Sequence, residues 1–146
     1  MSVEIEAVRV ATDEVVKAFG RLLPQLSRSA KPLDLTALDE LVASDASTLL
    51  IARREGEIVG ALTLVMFPIP TGRRAWIEDV VVDESARGLG VGAALTQEAV
   101  RLAREAGART VDLTSRPSRA AANRLYERLG FSLRDSRVYR LAPGDR

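Results

Sequence analysis

The chain has 146 residues, 47% of them apolar, so it is long enough for one domain with a real core and too apolar to be disordered. Its 21 basic and 20 acidic side chains leave a net charge of +1, which argues against a general nucleic-acid binder. Cysteine and histidine are both absent, which excludes disulfides, thiolate nucleophiles, Cys/His metal sites and imidazole bases. No signal peptide opens the chain and no run approaches the length of a membrane span, so the expectation is a single cytoplasmic domain over residues 1–146.

Val3 to Ala11 opens with Val3, Ile5 and Ala7 alternating against Glu4 and Glu6, and reads as a first strand. Thr12 or Asp13 caps a helix with Val15, Val16, Phe19, Leu22 and Leu23 on its inner side, which Pro24 closes or kinks. Gln25 to Pro32 is polar and reads as a loop. Asp34 or Thr36 then starts a second helix carrying Leu35, Leu38, Leu41 and Val42. Thr48 to Arg53 and Ile58 to Phe67 read as a hairpin around Arg54-Glu55-Gly56-Glu57. Gly60 inside the second strand predicts a bulge or close packing. Pro68, Pro70 and Gly72 mark a loop, either a rigid turn or the border of a pocket.

The next stretch, Trp76 to Leu95, organises the chain. Val80, Val81 and Val82 favour a buried strand, and Asp83 to Arg87 are too polar to continue it. Gly88, Gly90 and Gly92 let a ligand approach the backbone at the start of a helix whose first N–H groups lack intrahelical partners. With the guanidinium of Arg87 and the positive end of the helix dipole, the loop suits a phosphate or pyrophosphate. No Gly-Lys pair exists for an NTPase phosphate loop. Gly88-x-Gly90-x-x-Ala93 fits a dinucleotide fingerprint, but Asp112 lies inside the next apolar strand and too few residues follow for the required βα repeats.

The helix from Val91 buries a stripe of Val91, Leu95, Ala99, Leu102 and Ala106, and Gly107 is placed to end it. Thr110 to Thr114 is a strand. After Ser115 to Ser118, a last helix turns Ala122, Leu125 and Leu129 inward and ends at Gly130. Phe131-Ser132-Leu133 and Val138-Tyr139-Arg140-Leu141 read as a closing antiparallel hairpin.

Arg87-x-x-Gly90-x-Gly92 resembles the R/Q-x-x-G-x-G/A signature of the GNAT superfamily of acyl-CoA N-acyltransferases. Ala122-Asn123-Arg124-Leu125-Tyr126-Glu127-Arg128-Leu129-Gly130-Phe131 is similar to that family's A-x-x-L-Y-x-x-L-G-F passage, in the family's order and spacing. The order of elements and the resemblance agree on the fold class: α/β, with a central mixed, largely antiparallel sheet of about six to seven strands flanked by about four helices.

The resemblance implies transfer of an acetyl group from acetyl-CoA to an amine. It implies that Arg87, Gly88, Leu89, Gly90, Val91, Gly92 and Ala93 anchor the pyrophosphate of coenzyme A. It also implies that the backbone of Val80, Val81 and Val82 pairs with the pantetheine arm. Tyr126 stands where the family's general acid stands. A phenol of pKa ~10 can protonate a thiolate whose conjugate acid is near ~8.5; the alternative is a tyrosine packed at the helix edge. For the base, Glu78 is placed by alternation on a face with Trp76, Val80 and Val82, and comes first; Asp79, on the other face, comes second. Many family members have Asn seven residues before the tyrosine, where this chain has Arg119, which reaches a phosphate or the pantetheine amide, or lies in solvent. Ile77-Glu78-Asp79-Val80 also resembles the corresponding strand of glucosamine-phosphate N-acetyltransferases. In the resembling family the region matching residues 25–42 forms one wall of the acceptor site and varies between members, which implies a substrate lid here; the alternative is an ordinary surface connection.

With no cysteine, direct transfer in a ternary complex is expected, with no metal. The partners expected are a small-molecule amine or a protein amine, with no nucleic acid and no membrane, and the chain is either a monomer or a homodimer. A non-catalytic acyl-CoA-binding module is the rival from another class.

Overall fold

The computed structural model describes residues 2–144. They fall into two compact units, one up to residue 114 and one from residue 115. In the first, β1 (Val3–Ala7), α1 (Asp13–Leu26) and α2 (Leu35–Ala43) precede β2 (Ser47–Arg54), β3 (Glu57–Ile69) and β4 (Gly72–Val82). A single 3-10 turn (Glu84–Ala86), α3 (Val91–Glu105) and β5 (Thr110–Asp112) complete it; the second unit holds α4 (Ala120–Arg128).

The sheet order is β1-β2-β3-β4-β5, antiparallel except for the last pair. Only β4 and β5 are joined by a helix, α3, and a parallel pair needs such a crossover. Glu55 and Gly56 (φ +53° and +82°) form a two-residue turn between β2 and β3. Both residues take the left-handed region that a hairpin turn matched to strand twist requires. Pro68 lies inside β3, paired with Arg73, so the expected loop shrinks to Pro70-Thr71.

Each face of the sheet is covered. Leu49, Ile51, Ile58, Ala61 and Val81 pack against Val15, Ala18, Phe19 and Leu22 of α1 and Leu38 of α2. Leu50, Ala52, Leu62, Leu64 and Ile77 lie on the other face, where α3 buries Val91, Leu95, Ala99 and Ala103. The helix ends follow the sequence. Thr12 Oγ1 accepts from Val15 N (3.3 Å) at the start of α1, and Asp34 Oδ1 from Ala37 N (2.8 Å) at the start of α2. α1 runs past Pro24 to Leu26 because the proline sits in its last turn, and Ser27 N still reaches Leu23 O (2.9 Å).

Two expectations are corrected. The sheet has five strands among the described residues, where six to seven were expected. The closing hairpin is absent: residues 131–142 adopt no strand, so the missing strands are those of Phe131–Leu133 and Val138–Leu141. Their residues have strand propensity, but a strand exists only where a ladder pairs it.

Candidate active site

β4 carries an irregularity that alternation does not reveal. Glu78 pairs with Thr63 and Val81 with Ala61, so Asp79 and Val80 together oppose Leu62. This is a β-bulge, and Asp79 takes φ +50° within it. Aspartate tolerates the left-handed region better than most residues, and such strain gathers at functional sites. The bulge resets the pleat. Glu78 shares its face with Trp76 and Val81, while Val82, paired with Gly60, lies on the other face, which corrects the expected grouping with Val80 and Val82. Glu78 and Asp79 are both exposed.

The pairing of β4 with β5 stops at Trp76 and Asp112. Beyond it, from Ile77 to Val82, β4 has no strand partner on that side among the described residues. Its main-chain groups there are available to an extended ligand arm, the mode called strand addition.

From Val82 the chain passes through the 3-10 turn into the glycine loop. Gly88 and Gly90 take φ +80° and +82°, and a Cβ built at either would project into open space. Gly90 caps α3, and the first helical hydrogen bond runs from Ala94 N to Gly90 O (3.0 Å). The N–H groups of Val91, Gly92 and Ala93 precede that bond and point from the positive end of the helix dipole. Leu89 is exposed. The Arg87 side chain is exposed too, and its Nε donates to Val82 O (3.3 Å), which folds it back over the end of β4. The donors, the open space beside the glycines and the nearby guanidinium fit the diphosphate of a nucleotide cofactor.

Gln25, read from sequence as part of a loop, ends α1 and anchors this connection. Its Nε2 donates to Asp83 Oδ1 (2.7 Å), and its Oε1 accepts from Glu84 N (3.0 Å). Asp83 also accepts from Ser85 Oγ, and its own N–H donates to Val59 O (2.8 Å). The Gln25 amide and the Ser85 hydroxyl hold the Asp83 carboxyl below the usual range. No local signal in the sequence points to Gln25, because its partners lie some sixty residues on.

Tyr126 and Arg119 belong to the second unit. Tyr126 is buried within α4 and meets Phe131 edge-on, with ring centroids 5.9 Å apart. Burial pushes its phenol above the ordinary value, against an opposing pull from the Arg119 charge. Arg119 is the N-cap residue of α4 and caps it with no side-chain bond. Asn123 Nδ2 instead donates to Arg116 O (3.1 Å), fixing the turn before the helix. Ser115 Oγ is buried without a hydrogen-bond partner among the described residues, a feature the sequence did not single out.

Known proteins are similar to this chain in sequence and in fold. The sequence model of the acetyltransferase (GNAT) family matches residues 8–131. A mycothiol acetyltransferase of Thermomonospora curvata is 38% identical over 88 residues, 60% of this chain and 29% of that protein. A glucosamine 6-phosphate N-acetyltransferase of Trypanosoma brucei brucei is 43% identical over 79 residues, 52% of each chain. The chain thus spans between about a third and a half of the length of these curated relatives. Among solved structures, a transcriptional regulator from Bacillus halodurans is 29% identical, with a TM-score of 0.81 over 97% of this chain and 99% of that one. A Trypanosoma brucei acetyltransferase is 27% identical, with a TM-score of 0.78 over the same shares.

Proposed function

Because this chain belongs to the acetyltransferase (GNAT) family, we propose that it moves an acetyl group from acetyl-CoA to a primary amine by direct transfer in a ternary complex. One observation carries the reading: the bulged, half-open strand β4 leads straight through a glycine turn to the unpaired N–H groups of α3.

Each segment then has a role. Arg87, Gly88, Leu89, Gly90, Val91, Gly92 and Ala93 hold the pyrophosphate of coenzyme A through backbone N–H groups and one guanidinium. The main chain of Val80, Val81 and Val82 pairs with the pantetheine arm and lays the thioester beside the bulge. Glu78, with Asp79 second, takes the proton of the incoming ammonium directly or through water. The amine lone pair then attacks the thioester carbon, the C–S bond breaks as Tyr126 gives its phenolic proton to the departing sulfur, the nitrogen sheds its second proton to water to leave the neutral amide, and solvent returns a proton to the Tyr126 phenolate. Arg119 adds positive charge toward the anionic donor. No acyl-enzyme on sulfur forms, because the chain has no cysteine.

The exposed pair Glu78 and Asp79 suits a cationic amine. Glucosamine 6-phosphate, the acceptor in the name of the T. brucei brucei relative, is the first amine to assay; other small amines and protein amines follow. The reading is tested by thermal shift with acetyl-CoA, coenzyme A and NADH on the wild type and on Arg87→Ala. The melting temperature should rise with both coenzyme A species, stay flat with NADH, and rise less in the variant. A rise with NADH alone overturns the assignment. Binding with no turnover on any amine, together with no effect of Tyr126→Phe, replaces the enzyme by an acyl-CoA-binding module.

A further inference from the structure

An amine that gives its proton to Glu78 must lay the rest of its body on what surrounds Glu78. On that face of the sheet, Val81 follows along β4 and lies in the core beneath α1. Across the ladder Thr63 opposes Glu78, and beyond Thr63 stands Leu49, in the same core. On the β5 side, β4 is unpaired from Ile77 onward, the edge that the pantetheine arm takes. Along the sheet, the remaining direction leads back to Trp76, two residues or about 7 Å away.

Trp76 stands in an apolar strip. Val65 opposes it on β3, and Phe67, which opposes Arg74, is its diagonal neighbour. The core beneath α1 and α2 takes in Leu49, Ile51, Ile58, Ala61 and Val81 of the sheet and leaves these three out. On β5, Asp112 opposes Trp76 and accepts from Thr110 Oγ1 (3.4 Å). Two carboxylates, Glu78 and Asp112, thus flank the indole, against the single guanidinium of Arg74 on the same face. An anionic acceptor laid over Trp76 would meet both carboxylates, whereas a cation with a flat apolar body suits the charges and the ring together.

We propose that Trp76 is the specificity platform of the acceptor site and that the acceptor is an arylalkylamine, its ammonium at Glu78 and its ring on Trp76, Val65 and Phe67. The inference rests on the acetyl-transfer reading and narrows its acceptor. A short carbon spacer between nitrogen and ring matches the step from Glu78 to Trp76. The reacting step stays that of the transferase: the N–C bond forms, the C–S bond breaks, and the amine's two protons leave through Glu78 and water.

The probe is phenethylamine, with ethylamine and glucosamine 6-phosphate beside it, at saturating acetyl-CoA. The chain has no cysteine, so a thiol reagent reads released coenzyme A without background from the protein. The kcat/KM for phenethylamine should exceed that for each of the others by roughly tenfold or more, mostly through KM. Trp76→Ala should bring the ratio of phenethylamine to ethylamine down to about one, and Trp76→Phe should keep most of it. A higher kcat/KM for ethylamine or glucosamine 6-phosphate, or an unchanged ratio in Trp76→Ala, overturns the inference and leaves the transferase standing. Turnover of none of the three also overturns it; a melting temperature that still rises with acetyl-CoA then keeps the donor site, and one that does not removes the transferase reading as well. If Trp76→Ala fails to fold, the wild type decides. Trp76 is the chain's one tryptophan, so phenethylamine added to the coenzyme A complex should change its emission saturably, and ethylamine should not. Unchanged emission overturns the inference.

Discussion

Tyr126 concentrates the chemistry of the proposed reaction in one phenol. Burial raises its pKa more than the charge of Arg119 lowers it, so it holds its proton throughout the neutral range and has one to give. Tyr126→Phe removes the proton and keeps the ring that packs on Phe131. The expected result is a fall in kcat of about 10² to 10⁴, the usual share of a general acid, with the KM for acetyl-CoA nearly unchanged. In the wild type, the alkaline limb of kcat should lie above ~10, the ordinary phenol value, and it should be missing from the variant. Equal kcat values, or the same alkaline limb in both proteins, would remove Tyr126 from the reaction. The sequence offers Tyr126, Glu78 and Asp79 as candidates, but it does not give the geometry of the two acids. Alternation assumes an unbroken pleat, and nothing in Glu78-Asp79-Val80 announces that Asp79 will turn to φ +50°. Two neighbouring acids in an apolar strand were the available hint. Gln25 was hidden for another reason: its two partners are distant in sequence, and a polar residue after a proline reads as loop.

At the scale of elements, Gly60 links the sheet to the cofactor loop. The sequence left a bulge or close packing open for it, and both occur. The β2–β3 register shifts beside it, and a Cβ there would lie 2.9 Å from Val91 Cγ1, 3.2 Å from Leu95 Cδ1 and 3.1 Å from the carbonyl oxygen of Val81. The side chains can give way, but the carbonyl belongs to the ladder of β4. Gly60→Ala should therefore cost about 1–3 kcal/mol, as overpacking does, and lower the melting temperature. Val91 opens α3, so the displacement should also raise the KM for acetyl-CoA more than it lowers kcat. An unchanged melting temperature would mean that α3 is not seated against Gly60. The helices and the inner strands were readable because each carries its own period, cap or turn residues: Thr12, Asp34 and the Glu55-Gly56 turn all act where their chemistry places them. The closing hairpin misled because propensity is local and pairing is not. Leu133 and Tyr139 have the residue types of a strand, but the sequence does not say which edge receives them.

For the whole molecule, near-neutral charge makes acid the revealing variable. With 21 basic side chains and 20 acidic ones, protonating the carboxylates turns a balanced chain into a strongly cationic one that repels itself. The carboxylates whose pKa the fold depresses all have structural partners. Glu14 is held by Arg53, Glu98 by Arg101, and Asp83 by Gln25 and Ser85. Depression means that the folded state binds these protons less readily than the unfolded chain does. Their stabilisation is therefore present above the unfolded values of ~3.9 for Asp and ~4.3 for Glu, and is lost as pH falls through the lower folded values. The pairs of Glu14 and Glu98 are solvent-exposed and contribute little individually. Asp83 differs because its carboxylate ties the end of α1 to the turn that presents the glycine loop. The melting temperature should hold level from neutral pH to about 5 and drop below about 4. Acetyl-CoA affinity should weaken over that same acid range, and Gln25→Ala should show the weakened affinity already at neutral pH. Calorimetry and cofactor titration across pH check both parts. A melting temperature that rises on acidification contradicts the charge argument. A Gln25→Ala protein that binds acetyl-CoA like the wild type at neutral pH would show that the loop keeps its shape without the anchor.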